Sequence, residues 1–80
     1  MKISAYIIAY NEEDKISDCI KSILWADEII VADSNSTDST CEIAESLGAK
    51  VVQIEFNGYG NLRNEAISYC KGDWIFSLDS

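Results

Sequence analysis

Four short apolar runs divide this 80-residue sequence into regular segments. They span residues 3–10, 29–32, 50–56 and 74–78, and they are rich in the β-branched and aromatic residues that favour strands. The second run is unbroken, which is typical of a parallel strand covered by helices on both faces. The third run alternates in part, so we expect that strand to be less completely covered. The pattern therefore predicts four strands.

Between these runs, apolar residues recur at the spacing of a helix with one buried face. Residues 13–24 predict a first helix, with Asn11 as its N-cap. A second helix begins at Ser39, which forms a capping-box pattern with Glu42, and Gly48 follows its end. The positions predicted to face the core are, helix by helix, Ile16, Ile20, Ile23 and Leu24; Thr40, Ile43, Ala44 and Leu47; and Leu62, Ala66, Tyr69 and Cys70.

The alternation of strand and helix predicts an α/β fold, a Rossmann-like parallel sheet built from right-handed crossovers. Eighty residues allow one small domain, so residues 1–80 form a single unit. Asp79 and Ser80 come directly after the fourth strand, where a ligand-binding loop is expected to begin. We therefore expect the chain to be the N-terminal part of a longer protein, with a complete minimal domain as the alternative.

The net charge and the cysteine content argue against several classes of function. Fourteen acidic residues against six basic ones give a net charge of −8, which matches neither nucleic acid nor an anionic membrane surface. The three cysteines lack the CxxC spacing of a zinc or redox site, so reduced thiols are expected. The longest apolar run is far too short to span a bilayer, and no secretory cleavage pattern follows it. These features favour a cytoplasmic location.

The polar residues after the second strand are the first candidates for chemistry. Asp33 ends the apolar run and is followed by the small polar residues SNSTDST. Open α/β sheets bind their ligands at the carboxyl ends of strands, so this carboxylate is placed where a ligand would bind. The alternative is that residues 33–39 form only a turn and a helix cap. A dinucleotide fingerprint is absent, because the first strand is followed by NEED and not by G-x-G-x-x-G.

Four motifs carry a resemblance to a known family: YNEE, IIVADSNSTDST, GYGNLRNEA and GDWIFSLDS. In this order and spacing, the chain resembles the N-terminal nucleotide-binding half of the family 2 inverting glycosyltransferases, which have the GT-A fold. It looks most like the branch that adds glucose to the inner core of lipopolysaccharide. The resemblance implies the strand order 3-2-1-4, a UDP-sugar donor and a glycan or lipid-linked acceptor.

The resemblance also implies roles for individual residues. Tyr10 matches the aromatic position that stacks on the base, and Arg63 matches a basic position near the nucleotide. Asp33 and Ser34 stand where many relatives have two aspartates that recognise uracil. Asp79 matches the first acid of the DxD motif, whose Mg²⁺ or Mn²⁺ binds the diphosphate; the second acid would follow Ser80. Tyr10 could instead be a core aromatic, and Arg63 a solvated helix residue.

Asn11 and Glu12 complete the predicted nucleotide site. Both follow the first strand, and the order 3-2-1-4 reverses the direction of winding between the first and fourth strands. A crevice at that point would be flanked by Tyr10, Asn11 and Asp79, with Asp33 one strand away. Glu12 has an alternative role as an acid in the first turn of a helix, where it would favour the helix dipole.

Three functions compete at this stage. The leading hypothesis is sugar transfer by a longer parent enzyme, with no catalytic residue assigned in this chain and the isolated chain inactive. A non-catalytic nucleotide-binding or protein-interaction module is the alternative. A receiver-like phosphoacceptor domain is disfavoured, because a fifth strand and a lysine near Asp33 or Asp79 are missing. The apolar run 74–78 would form an exposed sheet edge, so we also expect the isolated chain to form a small homo-oligomer.

Overall fold

The computed structural model describes residues 1–79, which form a four-stranded parallel sheet with helices on both faces. The strands lie in the order β3-β2-β1-β4, and every neighbouring pair is parallel. The predicted α/β class and the order 3-2-1-4 are therefore confirmed. The elements are β1 (Ile3–Ala9), α1 (Ile16–Lys21), β2 (Glu28–Asp33), α2 (Thr40–Ser46), β3 (Lys50–Gln53), α3 (Tyr59–Ser68) and β4 (Trp74–Asp79).

Two separate cores lie on the two faces of the sheet. Helices α1 and α2 pack on one face and α3 on the other, as the members of the two clusters show. Right-handed crossovers require this division, because β1, β2 and β3 progress in one direction and β4 lies back beyond β1. The first core includes Ile7, Ile16, Ile20, Val31 and Ala44; the second includes Tyr6, Ile30, Leu62 and Ala66.

Strand β2 is buried on both faces, as its unbroken apolar run predicts. Ile30 and Val31 point to opposite faces and both are fully buried. Strand β3 is shorter than predicted, because it ends at Gln53 and the chain then turns away toward α3. Ile54 remains buried and its N–H donates to the Asp33 carbonyl (2.9 Å), whereas Phe56, which was predicted to lie in the strand, is exposed.

The first helix is shorter than the predicted residues 13–24. It begins at Ile16 and ends at Lys21, and no side chain caps its N-terminus, so the prediction of Asn11 as its N-cap is wrong. Asn11 has a left-handed backbone (φ 49°) and bonds to the loop after β2 instead. Leu24 lies beyond the helix and is 56% exposed, so its predicted place on the buried face is also wrong.

In the other two helices, individual residues differ from the prediction in their contacts or their burial. Ser39 precedes α2 but makes no side-chain cap, so the capping box with Glu42 is not formed. The Ser39 N–H donates to Glu13 Oε2 (3.1 Å), which satisfies that donor from a neighbouring loop. Gly48 adopts φ 93° after α2, as predicted for a residue that ends a helix. Tyr69 is 42% exposed and so does not belong to the buried face of α3.

The amino edge of the sheet is closed by hydrogen bonds around Glu28. Its Oε1 accepts from Ser4 Oγ (2.7 Å) and from the Lys71 N–H (2.9 Å). Ser4 Oγ accepts in turn from the Gly72 N–H (2.7 Å). The hydrogen bond from the Ser4 hydroxyl, followed by that from Lys71, lowers the pKa of Glu28 below its ordinary 4.5. The α3–β4 connection is thereby fixed against β1 and β2.

Among the described residues, no helix combines the length and the apolar character that a membrane span requires.

Candidate functional site

A cleft of about 440 Å³ lies at the carboxyl edge of the sheet. It is formed by the ends of β1 and β2, the β3–α3 connection and the first turn of α3, on the face that α3 covers. Open α/β sheets bind ligands at this edge. The cleft lies on the β2 side of β1, whereas topology alone pointed to the β4 side. Its lining residues are Ile8, Ala9, Tyr10, Ser34, Asn35, Phe56, Tyr59 and Leu62.

Three exposed aromatic side chains surround this cleft. Tyr10 follows β1 and is 59% exposed, while Phe56 and Tyr59 are 49% and 70% exposed. The rings of Phe56 and Tyr59 meet edge to face, with centroids 5.2 Å apart and an angle of 76° between planes. Tyr10 was predicted as a site residue. Phe56 and Tyr59 were not, because the sequence presented them only as a strand end and a turn.

The polar part of the cleft wall comes from the loop after β2. The Ser34 N–H donates to the Ala9 carbonyl (3.0 Å), which extends the pairing of β1 with β2. Asn35 adopts a left-handed backbone (φ 55°), which asparagine tolerates better than most residues. Its N–H donates to Gln53 Oε1 (3.2 Å), while its side-chain amide has no hydrogen-bond partner among the backbone and side-chain groups that the structure describes. That amide is therefore available to a ligand.

Asp33 does not line the cleft. Its side chain is 0% exposed, and its carboxylate accepts hydrogen bonds from the Ser36 hydroxyl and from the Ser36 N–H (2.8 Å). Burial, and then a hydrogen bond with Asp33, raise the pKa of the neighbouring Cys41 thiol to about 11. Cys41 is therefore a neutral thiol at neutral pH. Asp33 fixes the loop that carries Ser34 and Asn35.

The loops after β1 and β2 are bonded directly to each other. The Asn11 N–H donates to Ser36 Oγ (2.8 Å), and Asn11 Oδ1 accepts from the Thr37 N–H (2.8 Å). The Glu12 N–H donates to Thr40 Oγ1 (2.9 Å). Asn11 Oδ1 is thus bonded to the neighbouring loop, and it is not used to cap α1. Neither Asn11 nor Glu12 lines the cleft.

Asp38 strengthens the same connection. Its carboxylate accepts hydrogen bonds from the Thr40 hydroxyl, from the Thr40 N–H (3.0 Å) and from the Glu13 N–H (3.3 Å). The first of these is the main reason that the pKa of Asp38 is lowered. An ionised Asp38 therefore holds the start of α2 against the loop that carries Tyr10.

The remaining predicted residues lie outside the cleft wall. Arg63 is exposed on α3, one position after Leu62, whose side chain contributes to the wall. The backbone of Asp79 pairs with Ile8 at the carboxyl end of β4. The predicted metal-binding carboxylate of Asp79 and the whole of Ser80 lie outside the described residues. In the described part of the chain, no three His, Cys, Asp or Glu side chains are grouped as a metal site would require.

Comparison with known proteins gives a consistent family. A family model described as glycosyl transferase family 2 matches residues 4–80. An uncharacterized glycosyltransferase of Rickettsia bellii is 51% identical over 80 residues, which is 99% of this chain and 27% of that protein. The lipopolysaccharide core biosynthesis glycosyltransferase LpsC of Rhizobium meliloti is 33% identical over 85 residues, covering 100% of this chain and 32% of LpsC.

Solved structures agree with the sequence relatives. Glucosyl-3-phosphoglycerate synthase from Mycobacterium tuberculosis, in complex with Mn²⁺, UDP-glucose and glycerol 3-phosphate, superposes with a TM-score of 0.87 at 34% identity. The match covers 99% of this chain and 33% of the synthase. The chain thus spans about a third or less of the length of these relatives.

Proposed function

Because the chain belongs to glycosyl transferase family 2, we propose that it holds the nucleotide of a UDP-sugar for a longer parent enzyme. That enzyme transfers the sugar, with inversion, to a glycan or lipopolysaccharide-core acceptor. The cleft beside Tyr10 at the carboxyl edge carries the proposal, because it offers an aromatic ring and polar groups where α/β sheets bind ligands. The similar synthase structure with UDP-glucose and Mn²⁺ supports the same class of donor.

The donor lies across the edge of the sheet, with its base in the cleft and its diphosphate toward β4. Adjacent strands lie about 4.8 Å apart, so the end of β2 and the end of β4 are separated by roughly 10 Å. Tyr10 stacks on the base and Ser34 offers a hydroxyl to the nucleotide. Arg63, exposed on α3, attracts the negative charge of the diphosphate.

Three residues outside the cleft wall stabilise the loops that form the site. They are Asn11, Glu12 and Asp33. Asn11 and Glu12 join the loops after β1 and β2, and Asp33 fixes the Ser36 turn. Direct contact of Asp33 with the base would require its buried carboxylate to give up these bonds. We therefore assign these three residues to positioning Tyr10 and Ser34.

We propose that a divalent cation, Mg²⁺ or Mn²⁺, binds through Asp79. A single carboxylate is compatible with such a site when diphosphate oxygens and water supply the other ligands, as is usual for Mg²⁺. When bound, the ion stabilises the negative charge that develops on the diphosphate as the sugar bond breaks. The position of Asp79 at the end of β4, beside Ile8, supports this role.

The acceptor and the cellular location extend the proposal. The similarity to LpsC supports a lipopolysaccharide-core acceptor, which would contact the part of the parent outside this chain. Cys19, Cys41 and Cys70 are free, which fits the reducing cytoplasm. We place the parent there, at the inner face of the inner membrane.

Titration calorimetry with UDP and Mn²⁺ tests the nucleotide site in the isolated chain. The expected result is weak binding that Mn²⁺ strengthens, because the cleft is formed while Asp79 supplies only one protein carboxylate. A Tyr10→Ala variant should bind more weakly, and the matched variant Trp74→Ala, far from the cleft, should bind UDP normally. Absence of heat with any nucleoside diphosphate, in a sample shown to be folded, would contradict the proposal.

The isolated chain is also proposed to form a small homo-oligomer through β4. This strand pairs with β1 on one side, and its Trp74, Ile75 and Phe76 side chains are exposed. Trp25 packs edge to face on Phe76 (5.4 Å between centroids) and extends the apolar surface. A second copy would cover this surface, while the net charge of −8 opposes further growth. If the isolated chain sedimented only as a monomer at micromolar concentration, the proposal of a homo-oligomer would be contradicted.

A further inference from the structure

We propose that Phe56 and Tyr59 form a second aromatic surface for the base, next to that of Tyr10, and that Asn35 binds the polar edge of the base. The proposal rests on the nucleotide-binding function above and adds the residues that select for the base. These side chains line one cleft but come from three separate connections of the fold.

The segment that carries the two rings is held at both ends. At its start, Ile54 is buried and its N–H donates to the Asp33 carbonyl (2.9 Å). At its end, Leu62 is buried and its N–H donates to the Gly58 carbonyl (3.1 Å). Phe56 and Tyr59 therefore lie between two residues that are buried in the core beneath α3.

Gly58 determines how the two rings meet. Its φ of +95° is a left-handed conformation that residues with a side chain rarely adopt. This turn brings Tyr59 back toward Phe56, where the rings make an edge-to-face contact with centroids 5.2 Å apart. A non-glycine residue here would be strained even though no atom lies within 4 Å of the added Cβ.

Exposed aromatic rings around a cleft are well suited to a flat base. Phe56 and Tyr59 leave much of their surface in water, as does Tyr10. Stacking on a base covers such surface, and removing one stacking ring typically weakens binding by roughly fivefold to 150-fold. The segment 56–59 contains no basic side chain, so a phosphate group would find no charge partner on this surface.

Asn35 supplies the polar recognition that the rings lack. Its amide can donate and accept at the same time, which matches the alternating carbonyl and N–H groups on one edge of uracil. Its backbone is fixed by the N–H bond to Gln53 Oε1 (3.2 Å), while the amide has no partner within the described chain. Aspartate at this position also tolerates the left-handed backbone, so Asn35→Asp removes the donor without straining the loop.

The test uses the 80-residue chain with Mg²⁺ and NMR titrations of UDP and of inorganic pyrophosphate, which has no base. Phe56→Leu and Tyr59→Leu keep an apolar side chain but remove the ring. Tyr69→Leu is the control, because Tyr69 is exposed at the opposite end of α3, outside the cleft. We expect the first two variants, and Asn35→Asp, to weaken UDP binding about tenfold with pyrophosphate binding unchanged. Tyr69→Leu should match the wild type.

A second measurement does not depend on any variant folding. In the wild-type chain, the uracil H5 and H6 protons of bound UDP should show nuclear Overhauser contacts with the Phe56 and Tyr59 rings. The proposal of a second aromatic surface is contradicted if UDP binds without these contacts, or if both leucine variants bind UDP like the wild type. In either case the proposed nucleotide site itself is retained. If the wild type does not bind UDP, both proposals fall.

Discussion

The two edges of the sheet use polar groups for different purposes. At the amino edge, a hollow of about 210 Å³ is lined by Ser4, Glu28 and Gly72, among others, and these three are bonded to one another or to Lys71. At the carboxyl edge, the larger cleft keeps exposed rings and the Asn35 amide, which has no partner in the part of the chain that the structure describes. One edge is closed by its own hydrogen bonds, and the other retains groups that a ligand can use.

Acidic residues show the contrast most clearly. At the amino edge, Asp27 Oδ2 accepts from the Ile3 N–H (2.7 Å) and Asp73 Oδ2 from the Lys2 N–H (3.0 Å), so both carboxylates hold the start of β1. At the other end of β4, Asp79 is proposed to bind a cation. Substitutions at the two edges should therefore separate stability from function.

The largest effect is expected for Asp79→Ala in the full-length parent. Loss of one electrostatic contributor to a transition state typically costs about 2.7 to 4 kcal/mol, which is about 100- to 1,000-fold in turnover. The matched control is Asp73→Ala, directly before the start of the same strand, which should lower stability and leave turnover near normal. Steady-state kinetics and thermal unfolding of both variants check this. Turnover of Asp79→Ala within twofold of the wild type would remove Asp79 from the mechanism.

The next largest effect is expected for Gly72→Ala. A Cβ at Gly72 would lie 2.7 Å from Ser4 Oγ, 2.8 Å from the Ser4 nitrogen and 2.9 Å from the Lys2 carbonyl oxygen. Because two of these atoms belong to the backbone, we expect unfolding free energy to fall by about 1–3 kcal/mol. Gly60→Ala, with no atom within 4 Å of the added Cβ, should be neutral or stabilising. Urea denaturation showing equal stability for both would mean that the amino edge is loosely packed.

The smallest effect is expected for Glu28→Gln, whose effect on folding stability should depend on pH. Hydrogen bonds to the ionised form of Glu28 lower its pKa in the folded state, so the stabilisation is complete above the ordinary 4.5 and is lost as pH falls through the lower folded value. Glu28→Gln should therefore be less stable than the wild type at pH 7, and the difference should shrink at pH 3. UDP binding at pH 7 should not change. If the stability difference between Glu28→Gln and the wild type grew as the pH was lowered, the predicted direction of this pH dependence would be wrong.

The fold was largely predictable because its signals are local. The unbroken run in β2 indicated burial on both faces, and the alternation of elements indicated a parallel sheet. The errors arose where a contact between distant residues overrides a local preference. Asn11 is a good N-cap residue, yet it bonds to Thr37 of the neighbouring loop, and Ser39 uses Glu13 in place of its own capping box.

The candidate site was predicted only in part. Tyr10 and Ser34, two of the residues predicted for a nucleotide site, line the cleft, and both adjoin the ends of predicted strands. Phe56 and Tyr59 meet only because Gly58 turns the chain, and a short apolar and aromatic stretch does not reveal that contact. The left-handed backbones of Asn11 and Asn35 are a signal that the sequence does carry, since asparagine after a strand often adopts this conformation.

Amide chemical shifts on addition of UDP and Mg²⁺ test the difference between the two edges most directly. In ¹⁵N-labelled protein, the account predicts shifts at Tyr10, Asn35 and Tyr59 of the carboxyl edge, and none at Ser4, Glu28 or Gly72 of the amino edge. Saturable shifts centred on the amino edge, or spread evenly over both edges, would contradict the assignment of nucleotide binding to the cleft beside Tyr10.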